Sequence, residues 1–138
     1  MNDPIKIALN LLKFRPRTVF EVTEKLKSKG IIEAEINKTI SVLKQNKLLN
    51  DTEFAKMWVR DRNLLRPSGS YLLKLELKRL GISEENIEAS IQNQDEEALA
   101  RQAVESKGRY RQADFQKKAQ FLARRGFSTS IIYKVVKK

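Results

Sequence analysis

Three arginines hold one position relative to three glycines. Arg15, Arg66 and Arg111 each stand fifteen residues ahead of Gly30, Gly81 and Gly126. A guanidinium presents a planar fork of donors that matches a carboxylate or a phosphate. The row therefore reads either as a repeated salt bridge or carbonyl cap, or as a line of cations offered to a polyanion. The residues leave both readings open. Arg17, Lys25, Lys27, Arg60, Arg62, Lys74, Lys78, Lys117, Arg124 and Arg125 complete a candidate basic face for binding a partner or DNA. An isolated exposed cation is usually only solvated; as a set these side chains can draw in a phosphate backbone or an acidic protein lobe. The chain carries 28 Lys and Arg against 17 Asp and Glu, a net charge of +11 in 138 residues.

Other chemistries are excluded by what is missing. The chain has no histidine and no cysteine, which removes Cys/His zinc sites, disulfides, thiol nucleophiles and every mechanism that needs an imidazole. There is no glycine-rich phosphate loop, and the acidic clusters lack the spacing of a calcium loop. No catalytic residue, metal or cofactor is expected: a binding protein, not an enzyme. Asp51 reads as a helix-start acid beside the Asn50 cap rather than a functional carboxylate. Phe54 and Trp58 are a candidate base-stacking pair, but their helical spacing with Met57 and Leu65 favours core packing. Tyr71, Tyr110 and Tyr133 carry no specific signal. The apolar stretch 5–12 is short and interrupted by Lys6 and Asn10, and nothing approaches a membrane span. A cytoplasmic protein is expected.

The elements that position these cations are helices. Thr18 and Glu21 have capping-box spacing, Asn50, Ser68, Ser83 and Ser128 are placed to start further helices, and Gly30, Gly81 and Gly126 to stop them. No alternating strand pattern or hairpin turn occurs. The expectation is an all-α protein of eight or nine short helices. Aligning the three glycines exposes a repeat. Leu26, Leu77 and Leu122 lie four residues before them; Ile31, Ile82 and Phe127 follow directly; Ile36, Ile87 and Ile132 come six residues after. Upstream, Ile7-Ala8, Trp58-Val59 and Ala103-Val104 match, with Phe54 opening the middle unit. Three tandem three-helix repeats follow, at 1–48, 49–93 and 94–138, stacked as a short curved solenoid in which neighbours share a core. The repeats carry net charges of +5, zero and +6. A surplus at the two ends suggests an extended acidic partner.

The segment 50–55 (Asn-Asp-Thr-Glu-Phe-Ala), continuing through Trp58, Val59, Arg60, Arg62, Arg66 and Gly69, resembles the central signature of the RecX family of recombination regulators. Leu73, Leu77, Gly81, Ile82 and Ile87 match its continuation. Leu11, Leu12, Arg15, Pro16, Arg17 and Leu26 are similar to the family's first repeat, and residues 121–128 to its last. Trp58 stands where Phe or Tyr is commoner. The resemblance implies a small bacterial protein acting in DNA repair and the SOS response; a monomer is expected. It would modulate, usually inhibit, the RecA recombinase by lodging in the groove of the RecA–DNA filament, limiting its extension and activity, with direct contact to single- or double-stranded DNA in some members. The alternative, resting on charge alone, is a sequence-independent nucleic-acid-binding module acting without RecA.

Overall fold

The computed structural model describes residues 3–137. Among them are ten helices and no strand: α1 (Pro4–Phe14), α2 (Val19–Ser28), α3 (Glu33–Gln45), α4 (Asp51–Leu65), α5 (Ser70–Arg79), α6 (Glu84–Ile91), α7 (Glu96–Glu105), α8 (Gly108–Arg111), α9 (Phe115–Arg124) and α10 (Thr129–Val136). The additional helix is α8, a single turn between α7 and α9 that is too short to leave a periodic trace in sequence.

Side-chain caps start most of the helices. Thr18 and Glu21 form a full capping box at α2, and Asn50, Ser83 and Ser128 each accept the backbone N–H three residues on. Ser68 does not cap α5. Gly69 holds that position, while Ser68 is buried and donates its hydroxyl to the Arg66 carbonyl at 2.7 Å. Asp3 and Asp114 cap α1 and α9.

At the other end, Gly30, Gly81 and Gly126 take φ of 80°, 80° and 89°. The next residue's N–H then reaches back to the leucine carbonyl: Ile31 to Leu26 at 3.1 Å, Ile82 to Leu77 at 3.0 Å and Phe127 to Leu122 at 3.1 Å. A left-handed residue closing such a 6→1 bond is what turns the chain into its third helix.

Each helical unit closes its own core. Ala8, Val22, Leu26, Ile36, Ile40, Leu43 and Leu49 cluster in the first. Phe54, Ala55, Val59, Leu73, Leu77, Ile82, Ile87 and Ile91 fill the second. Ala100, Ala103, Val104, Phe121, Leu122, Phe127 and Val136 form the third, with Ile132 packed against it. A core shared between neighbours is thus not what joins them. The apolar stripes point into their own bundle, and Leu65, expected on the stripe of α4, is 82% exposed at that helix's end.

The joints between units are polar and close. The start of the second helix of one unit meets the end of the second helix of the next. At the first joint Thr18 Oγ1 donates to the Leu80 carbonyl at 2.7 Å, the Val19 N–H to Asp51 Oδ1 at 2.9 Å, and Phe20 occupies the space a side chain on Gly81 would need. At the second, the Gly69 N–H donates to the Arg125 carbonyl at 2.7 Å. Leu72 covers Gly126, and Ser70 donates its N–H and hydroxyl to Glu96 at 3.0 and 2.8 Å.

Candidate anion-binding site between the second and third units

The second joint gathers cations from three helices around a recess of about 410 Å³. Arg62 comes from α4, with Arg66 as that helix's C-cap residue. Lys107 and Arg109 flank the start of α8, Arg124 ends α9, and Arg125 is its C-cap residue. Ser68, Leu72, Tyr110 and Phe121 complete the walls with Glu76, the one carboxylate among the lining side chains.

Glu76 is fully committed. Its Oε1 accepts from Trp58 Nε1 at 2.9 Å and from Arg62 Nε at 3.0 Å, and its Oε2 from Arg62 Nη2. Burial works to raise the carboxyl's pKa, but the hydrogen bonds from Arg62 and Trp58, with the charges of Arg62 and Arg66, hold it below its ordinary value. The same hydrogen bond raises Arg62 against the opposing effect of burial. Trp58 is therefore part of the support of this pair, half-buried beside Phe54 with ring centroids 6.0 Å apart.

Arg125 lies deepest, 5% exposed. Its Nη1 donates to the Pro67 carbonyl at 2.9 Å and its guanidinium lies over Phe121 at 4.7 Å from the ring centroid. Loss of hydration, then repulsion from Arg66 and Arg62, pushes its pKa down: a cation buried among cations. Arg124 Nη2 reaches the Tyr110 hydroxyl oxygen at 3.0 Å. Tyr110 in turn lies nearly parallel to Phe121, centroids 4.1 Å apart. A second recess of about 330 Å³ shares Arg109, Tyr110 and Arg124 and adds Lys117, extending the basic surface along α9.

The other candidate cations lie elsewhere. Arg15 forks onto Glu21 at 2.5 and 3.3 Å and also donates to the Pro16 carbonyl at 3.0 Å. Arg17 Nε donates to the Leu11 carbonyl at 3.3 Å. Lys27 pairs with Glu24, Arg60 with Asp61, Lys74 with Glu88 and Lys78 with Glu84. Lys25 borders a separate recess beside α1. Arg111 is exposed at the end of α8. The three arginines of the repeat are thus not equivalent: Arg15 is held in an ion pair, while Arg66 opens onto the recess. Lys107 and Arg109 are not among the cations expected from sequence, and Tyr110, expected to carry no specific signal, lines both recesses. The one signal for Lys107 and Arg109 is the alternation of cations through 107–111, which only the turn of α8 brings against α9. Among the described residues no group of three acidic side chains is placed to hold a metal ion, and no helix is long and apolar enough to cross a membrane.

Fold and site together define a basic, all-α protein of tandem helical units with a cation-lined joint. Comparison with known proteins narrows this. The family model for the first three-helix domain of RecX matches residues 5–43, and that for the second matches residues 50–91. The chain is 35% identical over 136 residues to the regulatory protein RecX of Thermotoga maritima, covering 98% of this chain and 83% of that one. It is 35% identical over 137 residues to the regulatory protein RecX of a Geobacillus species, 94% of this chain but 51% of the longer relative. The crystal structure of RecX from Lactobacillus salivarius superimposes with a TM-score of 0.84 at 28% identity, covering 97% of this chain and 92% of that one. The chain belongs to the RecX family.

Proposed function

We propose that this protein regulates the RecA recombinase in the bacterial cytoplasm. It binds as a monomer in the groove of the RecA–DNA filament and limits the filament's extension and activity. Its three repeats, 1–48, 49–93 and 94–138, act together as one elongated clamp. Family membership supports the regulatory role, since the relatives carry the name of regulatory protein RecX. The observation that carries the binding mode is the convergence of Arg62, Arg66, Lys107, Arg109, Arg124 and Arg125 on one recess around a single, already neutralised carboxylate. A polyanion is the partner such a surface suits.

The test is RecA-dependent ATP hydrolysis and strand exchange on single-stranded DNA with substoichiometric protein. Both rates fall on this reading; unchanged rates with demonstrably folded protein overturn it. The charge of +11 alone favours a second reading, sequence-independent binding to DNA without RecA. Titrations at two salt concentrations, with and without filament, separate them: equal affinity for naked and RecA-coated DNA supports the second.

A further inference from the structure

The first unit leaves unbridged a seam that the other two span with their own side chains. In the second unit Trp58 and Arg62 of α4 both donate to Glu76 of α5. In the third, Tyr110 of α8 stacks on Phe121 of α9, and Arg125 lies over the same ring. Counted back from the closing glycine, Lys25 of α2 stands where Glu76 and Phe121 stand. Leu11 of α1 likewise takes the place of Arg62, and Phe14 that of Tyr110. The Lys25 ammonium makes no ion pair or hydrogen bond among the described residues. What remains between α1 and α2 is a groove of about 370 Å³, walled by Ile7, Leu11 and Phe14 and edged by Asn10, Lys25 and Lys29. The three apolar residues follow one another at i, i+4 and i+7, which is one face of a helix. Another face, with Ala8 and Leu12, serves the unit's own core. Ile7 and Leu11 are half-buried and Phe14 is 82% exposed.

We infer that this groove docks a short acidic amphipathic segment of a partner protein. The apolar side chains of that segment lie along the α1 row, and a carboxylate beside them pairs with Lys25. The second unit carries its own carboxylate at this position, Glu76; the first presents a cation there, and no carboxylate lines its groove. The complementary charge must therefore come from outside. Apolar anchors at helical spacing, with an opposite charge at the rim to fix register, are how an amphipathic helix is held in a groove. Two other occupants fit less well. A phosphate backbone gains nothing from three apolar walls, and a second copy of this chain brings its own charge of +11. The groove shares no residue with the recess at the second joint, so the inference does not rest on the RecA reading.

The experiment is fluorescence anisotropy of the full chain with a labelled synthetic helix that carries leucines along one face and glutamates beside them. Two companion peptides replace the leucines by serine or the glutamates by lysine. Phe14→Ala truncates an exposed ring and Lys25→Glu reverses an exposed charge, and circular dichroism checks that both variants fold. Each should weaken binding of the acidic peptide by about tenfold, what one aromatic anchor or one charge pair contributes. Lys134→Glu, on α10 and outside the groove, changes net charge equally and should cost no more than about twofold. Lys25→Glu should also bind the lysine peptide better than Lys134→Glu does. The inference is overturned if Phe14→Ala and Lys25→Glu lose no more than Lys134→Glu. It is overturned equally if the serine peptide binds as tightly as the leucine one, because net charge then explains the binding. A wild type that self-associates and becomes monomeric on Phe14→Ala makes the groove an interface between copies and sinks the idea. So does oligothymidylate that displaces the peptide and itself loses affinity on Phe14→Ala. None of these failures touches the RecA reading, which RecA-dependent ATP hydrolysis tests separately.

Discussion

Gly69 gives the sharpest test of how the units are joined. Its backbone sits at φ −78° and ψ 159°, extended geometry that alanine adopts freely, so a substitution there carries no dihedral penalty. Space is what is missing. A methyl group on Gly69 would overlap the carbonyl of Gly126 and come to 2.5 Å from the Phe127 nitrogen. These are backbone atoms of the neighbouring unit and cannot rotate away as a side chain can. Relief requires the two units to part, which stretches the Gly69 N–H bond to the Arg125 carbonyl and withdraws Pro67 from the Arg125 guanidinium. Overpacking costs about 1–3 kcal/mol, and a strained backbone hydrogen bond adds about 1 kcal/mol. The reduced freedom of alanine in the unfolded chain returns about 0.4–1 kcal/mol. Gly69→Ala should therefore destabilise the protein by about 2 kcal/mol.

Gly30→Ala is the matched comparison. There φ is 80° but nothing lies within 4 Å of the added Cβ, so only the left-handed conformation is penalised, at about 1 kcal/mol. Gly126→Ala combines both costs, with φ 89° and Leu72 in the way, and should be the worst of the three. Urea unfolding followed by circular dichroism ranks them. If Gly69→Ala matches wild type to within about 0.5 kcal/mol while Gly30→Ala falls below it, contact between backbones is not what holds the second joint.

Three further expectations concern single side chains. Thr18→Val removes both the α2 cap and the bond to the Leu80 carbonyl and should cost about 2 kcal/mol in the same unfolding assay. Glu76 has a folded pKa below its ordinary value near 4.5, so its contribution is fully present above that value and is lost as pH falls through the folded pKa. The stability gap between wild type and Glu76→Gln should therefore be widest near neutrality and shrink in acid; a gap that widens below pH 4.5 refutes the assignment. Arg15→Gln breaks an exposed fork to Glu21 and should cost at most about 1 kcal/mol without altering RecA inhibition, whereas Arg66→Gln should weaken inhibition with little loss of stability, as paired ATPase and unfolding measurements would show.

The helical framework was readable because its determinants are local. A capping box, a left-handed glycine and a leucine one turn before it are decided within a dozen residues, and each occurs at fixed offsets. The joints were not readable, because they depend on which backbone meets which. Ser68 looks like a helix cap by residue type, yet α5 begins one residue later because only Gly69 can lie against Gly126. Burial of Arg125 follows from that same approach: the carbonyl of Arg125 is drawn onto Gly69 and its side chain is folded back toward Pro67. In sequence it is simply the second of two arginines before a glycine. Lys107 and Arg109 belong to a four-residue helix with no period to detect.

Repeating one joint twice with different residues also explains why the arginine row divides. Thr18 and Gly69 are both N-cap residues of a unit's second helix, and both bond to the C-cap carbonyl of the next unit's second helix, on Leu80 and Arg125. Leu80 occupies at the first joint the place of Arg125 at the second, so no guanidinium enters the first joint from that side. There, Arg15 has Glu21 three residues past the Thr18 cap and pairs with it. At the corresponding place past Gly69 stands Leu72, which covers Gly126 and offers Arg66 no carboxylate. Exchanging these residues is a direct way to ask which feature makes the site. Leu72→Glu would give Arg66 the partner that Arg15 has, at the cost of the apolar cover over Gly126. If affinity for oligothymidylate survives that change in a folded protein, the unpaired state of Arg66 is irrelevant to binding, and the cations of α8 and α9 alone must account for it.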